Sequence, residues 1–309
     1  MVVRELIEGQ DAELVLLVRA CEPAGGKSLR LTLADRTGQL TALARDSRGS
    51  GGVAALCAPG TVVHVAGRFG GGELAVRTVR AAAGAEAEAA ALPDGPPRTP
   101  EQMEADLRDL VDTVQAPHLR ALLDAVFGSD AACWGQFREA PAAKRYHQAY
   151  RHGLLEHSLT VAQAVSAISA TFPGIDRDVA VTGALLHDIG KLEAYSADSP
   201  AIDLTDAGKL QGEIALGYYR VRRLIEDLPG FPPEAAAAVL HIILSHHGSL
   251  EHGSPVVPCT REATLVHMID TLGGRLGSFD RLEKELPSGS RWSAYDRALG
   301  GGAYFSRAA

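Results

Sequence analysis

The chain has 309 residues, 46% of them apolar and 22% charged, with a formal net charge of −8. That length suits two compact domains, and the composition excludes a disordered chain or a membrane protein built from long apolar spans. Arg4 and Glu5 lead straight into mixed sequence, so no export signal is read, and Cys21, Cys57, Cys133 and Cys259 form no CxxC pair; a cytoplasmic protein with reduced, mostly buried thiols is expected.

The first 80 residues read as strands. Apolar and polar residues alternate over 13–19, 28–34, 39–44, 61–69 and 73–79, with turn residues between them. Five short strands in this space predict a small Greek-key barrel. The run Gly25-Gly26-Lys27-Ser28 lacks the upstream glycine and following helix of a phosphate loop, and is assigned to a hairpin turn. Residues 81–100, rich in Ala, Glu and Pro, are expected to be a linker. From Pro100 the period becomes helical. Met103, Leu107, Leu110, Val111 and Val114 share one face of 100–114, and further helices are predicted near 117–128, 142–150, 153–171, 176–190, 207–228, 233–247 and 261–284. The Gly-rich tail after Asp296 carries no readable signal. The expected organisation is a multidomain β + α chain: a five-stranded barrel (1–80), the linker (81–100), an all-α domain (101–290) and a C-terminal tail (291–309).

Nine of the eleven histidines lie between His147 and His267, within the more acidic part of the chain. Acidic and imidazole groups together point to bound metal rather than bound nucleic acid. In chain order the candidates are His157, the adjacent pair His187-Asp188, Glu213, the pair His246-His247, and Asp270. Imidazoles and carboxylates delivered from several helices are what a metal site in a helical bundle needs, and a mixed N/O set suits Mn, Fe, Co or Mg better than thiolates would. Placing His187 and Asp188 inside an Ala-Leu-Leu-Ile face costs several kcal/mol unless they are paired or metal-bound.

Three stretches carry a resemblance: residues 146–158 (Tyr-His-Gln-Ala-Tyr-Arg-His-Gly-Leu-Leu-Glu-His-Ser), 186–191 (Leu-His-Asp-Ile-Gly-Lys) and 243–248 (Ile-Leu-Ser-His-His-Gly). Their order, H…HD…H…D, resembles the HD-domain phosphohydrolases. With a barrel in front, the chain is similar over residues 10–285 to the YhaM-type 3′→5′ exoribonucleases, which join an OB fold to an HD domain. The resemblance implies an N-terminal five-stranded OB-fold barrel followed by an all-α HD domain. It implies one or two divalent ions, Mn first and Fe, Co, Mg or Ni as alternatives. His157, His187, Asp188 and Asp270 would hold the primary ion, with Glu213 and either His246 or His247 completing or extending the site. Asp188 would also orient the nucleophile, a metal-activated water, while Lys191 offsets charge on the phosphoryl oxygens. His147 and His241 are candidates to support a ligand or to protonate the leaving oxygen. Two departures stand out: Glu213 replaces a usual histidine, and His152-Gly153 replaces Gly-Gly.

The implied activity is 3′→5′ trimming of single-stranded RNA, with single-stranded DNA as the other polymer. Two rivals are an HD phosphohydrolase acting on small nucleotides and a non-enzymatic nucleic-acid-binding protein with a degenerate metal site. On the barrel, Arg30, Arg36, Arg45, Arg68 and Arg77 are candidate backbone contacts and Phe69 is the one aromatic before Phe127, so weak, salt-sensitive binding is expected. No membrane partner is expected, and self-association into a homo-oligomer is left open.

Overall fold

A computed structural model describes residues 1–35, 38–45, 52–84, 98–143, 148–196, 202–284, 286 and 290–306. The chain forms two compact units, one of residues 1–94, 198–201 and 279–309, the other of 95–197 and 202–278. Among the described residues no helix is long and apolar enough to cross a membrane.

The first unit is built on β1 (Asp11–Pro23), β2 (Ser28–Asp35), β3 (Gly38–Arg45), β4 (Val62–Gly70) and β5 (Glu73–Ala81). They close into a barrel in the order β1-β2-β3-β5-β4, with only the β3–β5 pair parallel. Because side chains alternate along a strand, Leu14, Leu16, Leu31, Leu33, Val63, Val65 and Leu74 fill the inside and closure leaves no free edge. This is the predicted OB arrangement. Gly25–Ser28 forms the β1–β2 turn, closed by Ala24 N–H donating to the Ser28 carbonyl at 2.9 Å. A one-turn helix, α1 (Val53–Leu56), precedes β4 where no periodicity predicted one.

The tail read as featureless folds into a hairpin in which Trp292 bridges Tyr304 and Asp296 bridges Gly301. Asp296 makes the turn: its Oδ1 accepts from the N–H groups of Ala298 and Leu299 at 2.9 and 3.1 Å. Such a turn depends on one side chain and leaves no hydrophobic period to read.

The second unit is helical: α2 (Pro100–Asp112), α3 (Pro117–Phe127), α4 (Trp134–Glu139), α5 (Gly153–Ser169), α6 (Arg177–Leu186), α7 (Lys191–Ala194), α8 (Asp206–Gln211), α9 (Glu213–Glu226), α10 (Pro233–Ser245) and most of α11 (Arg261–Lys284). Thr99 starts α2 with a capping box: its hydroxyl accepts from Gln102 N–H (3.2 Å) while the Gln102 side-chain oxygen accepts from Thr99 N–H (3.0 Å). Helix α5 is apolar nearly all round and so lies in the middle, burying Leu154, Leu155, Leu159, Ala162 and Val165.

Three helix expectations are corrected. In 142–150 the described residues are not helical, and Gln148 and His152 have left-handed backbones (φ 59° and 70°) that end any regular helix. The stretch 207–228 is two helices, broken at Gly212 with φ 78°. Helix α6 stops at Leu186, before the His-Asp pair rather than after it. The cysteines are free, but only Cys57 is buried; Cys259 is exposed.

Candidate metal centre

The helix breaks are what assemble the polar cluster. His157 sits one turn into α5, His187 and Asp188 follow α6 in a tight turn, His246 and His247 follow α10, and Asp270 lies midway along α11. His157, His187 and Asp270 each offer one ligand atom, and all three atoms lie within 4.8 Å of one another. His157 Nε2 is 3.2 Å from His187 Nε2, 3.2 Å from Asp188 Oδ2 and 3.1 Å from Asp270 Oδ1. His187 Nε2 is 3.3 Å from Asp188 Oδ2. His246 Nε2 faces Asp188 Oδ1 at 3.6 Å.

The imidazoles are oriented by their other nitrogens. His187 Nδ1 donates to the Ala184 carbonyl (2.7 Å), His246 Nδ1 to Ile243 (2.8 Å) and His247 Nδ1 to His252 (3.0 Å). His157 Nδ1 donates to the side-chain oxygen of Gln148 at 3.0 Å. Fixing a proton on Nδ1 aims Nε2 into the cluster, which is the orientation a metal-binding histidine needs. His267 supports the set from outside: its Nδ1 donates to the His246 carbonyl at 2.7 Å.

Electrostatics at the cluster favour a cation. Burial opposes charging His157, but Asp188 and Asp270 outweigh it and lift its pKa to about 9. Burial likewise opposes ionising Asp188, yet Lys191 and His187 hold its pKa well below the carboxylate range. Lys191 Nζ lies 2.8 Å from Asp188 Oδ2, and the charges of Asp188 and Glu213 overcome its burial and raise its pKa. Burial pushes His246 down to about 3, so it is neutral. Among the described residues, His246 Nε2 and Asp188 Oδ1 are buried without a hydrogen-bond partner. Two facing acceptors left bare in a protein interior are costly, and both are good ligands for a borderline divalent ion. The residues fit a metal.

Glu213 opens α9 on the adjoining side, with Oε1 3.5 Å from His247 Nε2. His247 is 30% exposed at its side chain against 1% for His246, so the two adjacent histidines face different parts of the centre. Tyr195, which no sequence signal marked, stands near Glu213 and Lys191, and burial followed by the Glu213 charge raises its pKa. Gln148 was missed for the same reason: a lone glutamine outside a helix carries no pattern. His152 is tied elsewhere, its Nδ1 donating to the Arg138 carbonyl at 2.6 Å.

His147 and Arg36 lie outside the described residues. His241 is turned to a loop, where its Nε2 accepts from Cys259 N–H at 2.9 Å. Burial lowers its pKa, so the folded protein favours the neutral ring. The sign follows: this contribution is complete above about pH 6.5 and shrinks as pH falls, because the unfolded chain then takes up the proton more readily. Melting temperatures of wild type and His241→Ala should therefore converge between pH 7.5 and 5.5; a constant gap would show that the ring nitrogen is not involved.

On the barrel, Arg30 and Arg45 project outward from β2 and β3 and are exposed. Arg77 pairs with Asp11 at 3.0 Å, and Arg68 lies opposite Asp11 in register, so that pair of cations is partly offset. Phe69 is half-buried against the barrel core and presents little ring to solvent.

The chain is similar to known proteins over both units. A family model, the HD domain, matches residues 154–274. The 3′-5′ exoribonuclease YhaM of Bacillus subtilis (strain 168) is 28% identical over 295 residues, covering 90% of each chain. The protein of the same name from Listeria welshimeri is 28% identical over 91% of this chain and 90% of its own. That from Geobacillus sp. (strain WCH70) is 28% identical over 90% and 87%. The helical unit thus matches the HD domain over residues 154–274, and the chain as a whole is similar to the YhaM 3′-5′ exoribonucleases.

Proposed function

We propose that this chain is a metal-dependent phosphodiesterase that trims single-stranded RNA from its 3′ end. The observation that carries the reading is the pair of buried, unpartnered acceptors, His246 Nε2 and Asp188 Oδ1, facing each other across the ring of oriented imidazoles. The relatives' name supplies the substrate. His157, His187, His246, Asp188 and Asp270 hold the ion, and Glu213 with His247 extends the ligand set toward a second position. The mixed nitrogen and oxygen donors suit Mn²⁺, Fe²⁺, Co²⁺ or Ni²⁺. A divalent ion there supplies Lewis acidity and lowers the pKa of the attacking water. Asp188 orients that water, and Lys191, fixed by Asp188 and buried, is a permanent cation for charge developing on the phosphoryl oxygens. Four free thiols support a cytoplasmic location for such an enzyme.

A 5′-labelled single-stranded RNA incubated with Mn²⁺ should shorten progressively from its 3′ end. Internal fragments, or turnover of mononucleotides with no shortening of the polymer, would sink the exonuclease reading. Gln148→Leu should weaken metal binding about 10- to 100-fold by releasing the proton that aims His157. Gln148→Glu, which keeps an acceptor, should restore most of it. Metal titration of the purified variants reads both, and equal affinity in the leucine variant would remove Gln148 from the site.

A further inference from the structure

The barrel exposes few aromatic rings, yet the C-terminal hairpin of the same unit concentrates them. Trp292 is 61% exposed, Tyr295 74% and Tyr304 47%. Trp292 and Tyr304 are cross-strand partners with ring centroids 5.1 Å apart, so their rings share one face of the hairpin. Arg291 and Arg297 are exposed along the same segment, and Arg291 donates to the Tyr304 hydroxyl at 3.4 Å.

The hairpin is held rather than loose. Ser293 N–H donates to the Ala303 carbonyl at 2.9 Å and Phe305 N–H to the Arg291 carbonyl at 2.8 Å. Phe305 packs edge-on against Phe279 at 6.2 Å. Asp296, the one acidic residue from 290 onward, is committed to the turn and to an ion pair with Arg281. Set against the three arginines of that stretch, Arg291, Arg297 and Arg307, it leaves the segment net +2 in a chain of net −8. A fixed display of three large rings beside arginines leaves more apolar surface in water than one cross-strand pair requires, which marks an interaction site.

We propose that this hairpin is a stacking platform for single-stranded RNA, resting on the exoribonuclease reading for the identity of the polymer. Every base offers a π-face, and arginines track the phosphate backbone, so rings interleaved with cations recognise a single strand without reading its sequence. The positive charge is complementary to a polyanion in a chain that is otherwise acidic. The platform supplies the aromatics that Phe69, half-buried, does not.

The chain has two tryptophans, and Trp134 is buried in the helical unit, so a Trp134→Phe protein reports on Trp292 alone. With EDTA present to stop hydrolysis, a single-stranded RNA oligonucleotide should quench that fluorescence, with an affinity that falls steeply with salt. Trp292→Leu and Tyr295→Ala should each weaken RNA binding about tenfold by anisotropy, Tyr295→Ala without lowering the melting temperature. Duplex RNA, whose bases are already stacked, should bind less tightly. Unquenched Trp292 at saturating RNA, or wild-type affinity in both variants, would overturn the platform. Quenching without any 3′ shortening of RNA in Mn²⁺ would leave the platform standing and overturn the activity instead.

Discussion

Asp188→Asn should leave a folded protein that binds RNA but no longer trims it. The side chain is 3% exposed, and its Oδ2 is shared by Lys191 at 2.8 Å, His157 at 3.2 Å and His187 at 3.3 Å. Asparagine keeps the shape but removes the charge and puts an amide where a ligand oxygen is needed. Losing several kcal/mol of charge stabilisation in the transition state corresponds to a fall of about a thousandfold or more in rate. Asp188→Ala should be worse for a separate reason. It strands the Lys191 ammonium, 12% exposed, without its partner, and breaking a buried pair in this way costs about 3–5 kcal/mol. Asp188→Ala combined with Lys191→Met should therefore regain much of the lost melting temperature and none of the lost activity. Measured together, metal content, melting temperature and RNA shortening separate the two effects. Wild-type trimming by Asp188→Asn would remove this carboxylate from the chemistry.

What the sequence made legible follows the physics of each signal. Alternation at period two exposed all five barrel strands, because one face of each is buried in a closed sheet. The polar residues His187 and Asp188 stood out because they interrupt an apolar helix face, and the structure places both within the cluster around His157 and Asp270. Residues that act through one hydrogen bond left no trace. Gln148, which orients His157 from a non-helical stretch, is the case in point. Helices were read through positions where a single backbone angle forbids them, as at Gly212 and Gln148. The hairpin at the C-terminus was invisible for a related reason, since Asp296 alone organises its turn.

Gly190→Ala should be among the most damaging single-methyl changes in the helical unit, although propensity argues the opposite. Sequence reads this glycine as a helix stop, yet its backbone is ordinary right-handed helix, φ −66° and ψ −16°. Alanine could adopt those angles, and the smaller entropy of the unfolded chain would then favour it by roughly 0.4–1 kcal/mol. Space decides against it. A Cβ at Gly190 would lie 1.9 Å from the Glu213 carbonyl oxygen and 2.5 Å from Gly217 N, both backbone atoms of α9 that cannot swing aside. The start of α9 must move, at a cost of about 3 kcal/mol, or roughly 6–12 °C in melting temperature. That movement carries Glu213 away from His247, so metal affinity should fall with stability. Gly217→Ala, whose Cβ meets Gly190 N at 3.1 Å, should be milder. Gly273→Ala is the control: it lies inside α11 with nothing within 4 Å of its Cβ, and should stabilise by up to about 1 kcal/mol. If Gly190→Ala and Gly273→Ala melt alike, close approach of the two backbones is not what this position requires. If they diverge as expected, the glycine two residues after the His-Asp pair is there to let the start of α9 pack directly against this backbone.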